Sequence, residues 1–162
     1  MDKRQEELTR LGFAGVIPFI GGAVLVWVLP LLGSYAEAIA MNIHTVVLAY
    51  GGIIAGYMAG AGAGAIIASP VKTQERLLPG MIAALIAWFA IMPNGFLMFS
   101  IGAAWRHGLI IFVLIYLLLR DLRAVDNNQL PSWYGNLRVR LTLWACIGLL
   151  FIAIRLALMG QY

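Results

Sequence analysis

The sequence predicts an all-α integral membrane protein, a single helix bundle that crosses the bilayer five times. Apolar residues make up 62% of its 162 residues, whereas only 11% are charged. A typical soluble domain is roughly 45–50% apolar and about one quarter charged. This chain has too few charged residues to cover its apolar surface in water, so its solvent is predicted to be lipid. Five apolar segments, separated by polar or turn-forming ones, supply the predicted spans.

The predicted spans belong to one domain over residues 1–162. They cover about residues 11–32, 45–68, 77–92, 96–119 and 141–159. Pro18 lies inside the first span, where it removes a helical hydrogen bond and favours a kink. Segments 34–44 and 131–140 are predicted to lie at the membrane interface. The first of them alternatively extends span two, since a helix of 35 residues from Ser34 would be about 52 Å long.

Basic residues predict the orientation. The N-terminal segment and the two loops predicted on the same side hold nine of the eleven lysines and arginines: Lys3, Arg4, Arg10, Lys72, Arg76, Arg120, Arg123, Arg138 and Arg140. Cytoplasmic segments of membrane proteins carry an excess of lysine and arginine. We therefore expect the N-terminus inside and the C-terminus outside, in a bacterial inner (plasma) membrane. The net charge of +4 has the same origin, and no nucleic-acid partner is predicted.

Three segments are similar to a known family. Residues Leu11–Phe19 are similar to its opening Leu-Gly…Gly-x-x-Pro-Phe, and Tyr50–Ile54 to the start of its second-span motif. Leu130–Thr142 contains its most specific signature, Pro-x-Trp-Tyr-x-x-Leu-Arg-x-x-Leu-Thr. The chain thus resembles the bacterial inner-membrane family of unknown function that includes the mitochondrial transmembrane protein 69. The resemblance implies a multi-span inner-membrane protein without an established reaction. Residues 55–62 lack the His-Trp pair usual in that family.

Glycines recur every four residues in the second span, at Gly52, Gly56, Gly60 and Gly64. Small residues at this spacing allow another helix to approach closely, and close packing is a main force between helices in lipid. The pattern predicts a helix-packing face. Its occupant is either another helix of the same bundle or a partner subunit.

Two arginines, Arg106 and Arg155, lie within predicted spans, where a charge is costly. Both lie at a similar depth, about 21–22 Å of helix from the inner boundary. Glu37, His44 and His107 are expected at the same outer level, so the five residues form a candidate ligand-binding site for a small anionic or lipidic molecule. In the alternative, each arginine extends independently to the lipid headgroups.

His44 and His107 also suggest axial ligation of a haem, but two histidines alone are a weak pattern for it. No cofactor and no metal site are predicted. The sequence contains no Gly-rich phosphate loop, nucleophile elbow or HExxH motif, and no paired carboxylates within the spans. We therefore expect no enzymatic activity.

Aromatic and basic residues come together just before the last span, at Trp133, Tyr134, Arg138 and Arg140. Aromatic side chains favour headgroup depth and arginines bind phosphates, so this segment is predicted to be an interfacial anchor or a partner-docking surface.

These observations favour a non-enzymatic accessory, assembly or scaffold protein that binds another membrane protein. A binding protein or carrier for a small anionic or lipidic ligand, held by the Arg/His cluster, is the alternative. The predicted partners are membrane lipids and another membrane protein or a second copy of the chain.

Overall fold

The computed structural model describes residues 3–68, 77–93 and 101–160. Five helices account for most of these residues: α1 Lys3–Val28, α2 Ser34–Ala68, α3 Leu78–Ile91, α4 Ala103–Asp126 and α5 Ser132–Leu158. A 3₁₀ turn, Leu29–Leu32, follows α1. No strand occurs in these three ranges, which confirms the all-helical fold class. The predicted start of the fourth span, residues 96–100, and the loop residues Lys72 and Arg76 lie outside the described residues.

Three helical segments are long and apolar enough to cross a membrane: Gln5–Leu32, Ser34–Ala68 and Ser132–Leu158. Leu78–Ile91 is a shorter apolar helix. Leucine, isoleucine and aromatic side chains cover much of the outer surface of the bundle. Such a surface suits lipid and not water, so the fold indicates a membrane protein.

The helices extend beyond the apolar segments. α1 begins at Lys3 because the polar residues before Leu11 are good helix formers. α2 runs without interruption from Ser34, so segment 34–44 and the second predicted span form one helix of 35 residues, about 52 Å long. Segment 131–140 likewise forms the first turns of α5. Gly33, with φ 114°, makes the turn into α2 in a conformation that favours glycine.

α4 and α5 pack side by side, and α1 packs against α5 and α2. Phe19, Ile110, Leu149 and Ile152 are fully buried between them. α5 approaches the backbone of α1 closely at Gly148, where an added Cβ atom would lie 2.7 Å from the carbonyl oxygen of Phe19. A backbone group cannot move aside as a side-chain tip can, so this contact requires glycine.

The glycine stripe of α2 contacts another described helix at one of its four positions. An added Cβ at Gly52 would lie 2.7 Å from Ile91 on α3, whereas at Gly56, Gly60 and Gly64 it would meet no atom of the described residues within 4 Å. A helix has 3.6 residues per turn, so each four-residue step rotates by about 40° and Gly64 lies about 120° away from Gly52. Among these four glycines, the described part of the chain therefore packs closely against Gly52 alone.

Candidate functional site

Arg106 binds the end of a neighbouring helix. Its Nε donates a hydrogen bond to the carbonyl oxygen of Ala90 at 2.7 Å, and its Nη2 donates to that of Met92. These carbonyls belong to the end of α3, where no helical N–H is available to them. The positive charge also interacts favourably with the helix dipole at this end. Arg106 is buried and caps α3.

His107 on α4 directly follows Arg106 in the chain, and His44 on α2 lies beside His107. Their ring centroids are 5.7 Å apart. His107 is fully buried and its Nδ1 donates to the Ala103 carbonyl at 2.9 Å, which leaves Nε2 as an acceptor without a partner among the described residues.

Arg155 and Glu37 lie apart from this group. The guanidinium carbon of Arg155 lies 5.5 Å from the centroid of the Trp27 ring, and the Trp27 indole donates to the Phe151 carbonyl at 3.1 Å. Arg155 therefore joins α5 to α1. Glu37 is half-buried and forms no ion pair within the described part of the chain. The structure thus brings together three of the five predicted residues and holds Arg155 by a different contact.

The four residues predicted to form an interfacial anchor or docking surface lie in different surroundings. Arg138 is buried inside the bundle: its Nε donates to Asp121 Oδ2 at 2.7 Å, and the two side chains are only 9% and 10% exposed. Its Nη2 contacts the sulfur of Met58 at 3.1 Å, so the arginine joins α5 to α4 and α2. Trp133 and Arg140 line a shallow groove beside the start of α1. Asp121 compensates the charge of Arg138 inside the bundle, and the interfacial position of the segment stays a prediction.

The carboxyl group of Asp121 responds to two opposing effects. Burial raises its pKa above the ordinary value, and the guanidinium of Arg138 opposes this rise. The pair is therefore stabilised by mutual compensation, since either charge alone would be costly at this depth.

A cavity of about 280 Å³ lies beside this ion pair, between α1, α2 and α5. Its walls are mostly apolar, with Leu11, Phe19, Ile54 and Leu114 among the lining residues. Four polar side chains reach it: Tyr57, Tyr134, Arg138 and Thr142. The Thr142 hydroxyl is buried and has no hydrogen-bond partner among the described residues. An apolar space with a few polar groups is the usual composition of a small-molecule site.

The cavity is bounded toward the middle of the bundle by a contact between α1 and α2. The Tyr50 hydroxyl donates to the Gly15 carbonyl at 2.9 Å. The ring of Tyr50 also packs against Phe19, with 5.1 Å between centroids. These two contacts join α1 and α2 at the end of the cavity nearer the middle of the bundle.

Comparison with known protein families assigns the chain to one of them. The model of a family described as "Protein of unknown function (DUF3429)" matches residues 5–154. The chain belongs to this family. No curated protein and no solved structure matches it.

Membership of the DUF3429 family agrees with the expected family of unknown function and assigns no activity. The kinship with the mitochondrial protein stays a prediction. The segment that resembles the family's most specific signature contributes a continuous face to the cavity: Tyr134, Leu137, Arg138, Leu141 and Thr142. These positions follow the i, i+3, i+4, i+7, i+8 spacing of one helix face. That spacing was the available sequence signal for the cavity, although it did not reveal the ion pair with Asp121.

Proposed function

We propose that this chain is a five-span protein of a bacterial inner membrane that binds an amphipathic membrane molecule and catalyses no reaction of its own. The observation that carries this proposal is the Thr142 hydroxyl, which lies in the wall of an apolar cavity and has no partner in the described part of the chain. A buried hydroxyl without a hydrogen bond costs about 1–3 kcal/mol. A ligand oxygen at this position would recover that free energy, while the apolar walls would hold the rest of the molecule.

Three arginines inside the bundle support binding over catalysis, because each of them already contacts another part of the fold. Arg106 caps α3, Arg138 pairs with Asp121, and Arg155 lies over Trp27. An anion at the outer Arg/His cluster would compete with the two α3 carbonyls for Arg106. The cavity therefore offers a better ligand site than the outer cluster does.

Filling the cavity tests this function. Ala145 is buried on α5 and lines the cavity, so Ala145→Leu should place its added carbons there. Protein purified in mild detergent is expected to retain a lipid-like molecule in native mass spectra, and Ala145→Leu should lose most of it. Ala157→Leu is the matched control, because Ala157 is exposed on the same helix. Equal retention by both variants, or an empty wild-type protein, would contradict the proposal.

The topology rests on the basic residues and on helix length. α1, α2 and α5 each exceed the roughly 20 residues that a span needs, and α4 has 24 residues. α3 has 14 residues, about 21 Å, and would cross only with help from the residues beside it. The lysine and arginine distribution supports an inside N-terminus and, with five spans, an outside C-terminus.

A reporter fused after Tyr162 is expected to be periplasmic, because an odd number of spans separates the two termini. A reporter inserted after Asn128, between α4 and α5, is the control and should be cytoplasmic. Phosphatase and fluorescence reporters distinguish the two sides. A cytoplasmic C-terminal reporter would show that the number of spans or the orientation is wrong.

A second function, that of an accessory, assembly or scaffold protein, is supported by the open face of α2. Gly56, Gly60 and Gly64 have free space in front of them. In lipid, such a face allows a helix of another membrane protein, or of a second copy, to approach closely. Ligand binding and a scaffold role are compatible, since the cavity and this face are formed by different residues.

A further inference from the structure

We infer that the molecule in the cavity is an uncharged lipid with a carbonyl group, such as an ester or a quinone, and not a phosphate or carboxylate anion. This inference rests on the proposed binding function and specifies the ligand of that same site. It follows from the donors that the cavity offers, from their charge and from the walls around them.

The cavity offers hydrogen-bond donors. Thr142 contributes a hydroxyl that has no partner among the residues described, in a side chain that is 5% exposed. Arg138 uses its Nε for Asp121 and its Nη2 for Met58, and its Nη1 has no hydrogen-bond partner within the described ranges. A guanidinium group can only donate. A ligand that satisfies both side chains must therefore present an acceptor oxygen.

The charge at this position is already balanced. Asp121 lies 2.7 Å from Arg138, and both side chains are buried. An anionic ligand would add a second negative charge beside Asp121, where the surroundings are apolar and one positive charge would serve two negative ones. A carbonyl oxygen accepts the same hydrogen bonds without adding a charge. The ion pair therefore selects against an anion.

The remaining walls fit an apolar body. Phe19, Leu114 and Ala145 line the part of the cavity nearer the middle of the bundle, and Leu8 and Leu11 line the part nearer the start of α1. A volume of about 280 Å³ lies just below the range of about 300–1,000 Å³ typical for ligand pockets. The space suits one alkyl chain or one ring system better than a complete two-chain phospholipid.

Three probes of equal chain length test the inference on the purified full-length protein: methyl laurate, laurate and dodecane. They share the apolar chain and differ in carrying a neutral carbonyl, a carboxylate or no oxygen. Binding is measured by titration at pH 8, where laurate is ionised. Methyl laurate is expected to bind about tenfold more tightly than either of the others, which corresponds to about 1.4 kcal/mol.

Thr142→Val removes the hydroxyl and keeps the shape of the side chain. It is expected to weaken methyl laurate binding about tenfold and to leave dodecane binding unchanged. The empty variant should melt at a higher temperature than the wild type, because it lacks a buried hydroxyl without a partner. This second measurement shows that the variant folds. Thr45→Val, at an exposed position whose hydroxyl bonds within its own helix, is the control and should change neither affinity.

The outcomes separate the two proposals. Equal binding of methyl laurate and dodecane would overturn the carbonyl inference and leave the binding function standing. Tightest binding of laurate would overturn the inference in favour of an anionic ligand. Failure of all three probes to bind, together with an empty protein on purification, would overturn the proposed function itself.

Discussion

Replacing Asp121 by leucine is expected to lower the free energy of unfolding by about 3–5 kcal/mol, because Arg138 would be left buried and unpaired. Arginine does not release its proton in a protein, so the charge would persist. Denaturant titration in mixed micelles measures the loss. The double variant Asp121→Leu with Arg138→Met should recover most of it, since apolar side chains of similar size can replace a buried ion pair. A double variant as unstable as the sum of the single variants would contradict this explanation.

Arg138→Met alone should cost less than Asp121→Leu, about 1–3 kcal/mol. Burial already raises the pKa of the Asp121 carboxyl group, and without the opposing guanidinium the group can take up a proton and become neutral. Its pKa in the folded state then lies above that in the unfolded state, so the folded state binds more protons. Stability of Arg138→Met should therefore rise as the pH is lowered from 8 toward 5. Equal costs for the two single variants would contradict this asymmetry.

Gly148→Ala is expected to destabilise the fold by about 3 kcal/mol, at the upper end of the usual cost of overpacking. The new methyl group would lie 2.7 Å from the Phe19 carbonyl oxygen, so α1 and α5 would have to separate. Gly60→Ala is the matched control and should stabilise the helix by about 0.5–1 kcal/mol, because Gly60 faces open space. The same titration measures both. Changes of the same sign would show that the contact at Gly148 is not as close as the structure has it.

A larger side chain at Gly60 tests the proposed scaffold role. Gly60→Leu should leave the monomer folded and remove any assembly seen on gentle extraction from the membrane. Gly108→Leu, at an equally open glycine on α4, should keep that assembly. Loss of assembly in both variants, or in neither, would exclude the face of α2 as the surface that forms it.

The helical fold was predictable because lipid leaves few choices: an apolar backbone segment must satisfy its own hydrogen bonds, and a helix does so. The positions of the helix ends were less predictable. α1 begins at Lys3 and α2 at Ser34, beyond the apolar segments, because polar residues of good helix propensity continue a helix without changing the hydropathy pattern. Hydropathy locates the part of a helix that suits lipid, and propensity determines where the helix ends.

The candidate site was only partly predictable. The sequence placed Arg106, His44 and His107 at one level with Glu37 and Arg155, and the structure brings the first three together, but the sequence does not show that Arg106 binds backbone carbonyls. The pairing of Asp121 with Arg138 depends on how α4 and α5 are rotated against each other, and spacing along one chain carries no such information. The glycine stripe shows a similar limit: its four-residue spacing rotates around α2, so most of its glycines face away from the described helices.

The capping of α3 by Arg106 has a consequence for the assembly of the protein in the membrane. α3 alone in lipid would expose carbonyl groups at its end, and α4 alone would carry an arginine with an insertion cost of roughly 2.5–3.5 kcal/mol. The hydrogen bonds to Ala90 and Met92 remove both costs together, but only when the two helices are side by side. In the proposed five-span topology, α3 and α4 would therefore enter the bilayer most favourably as one helical hairpin, with the arginine and the carbonyls joined before either meets lipid.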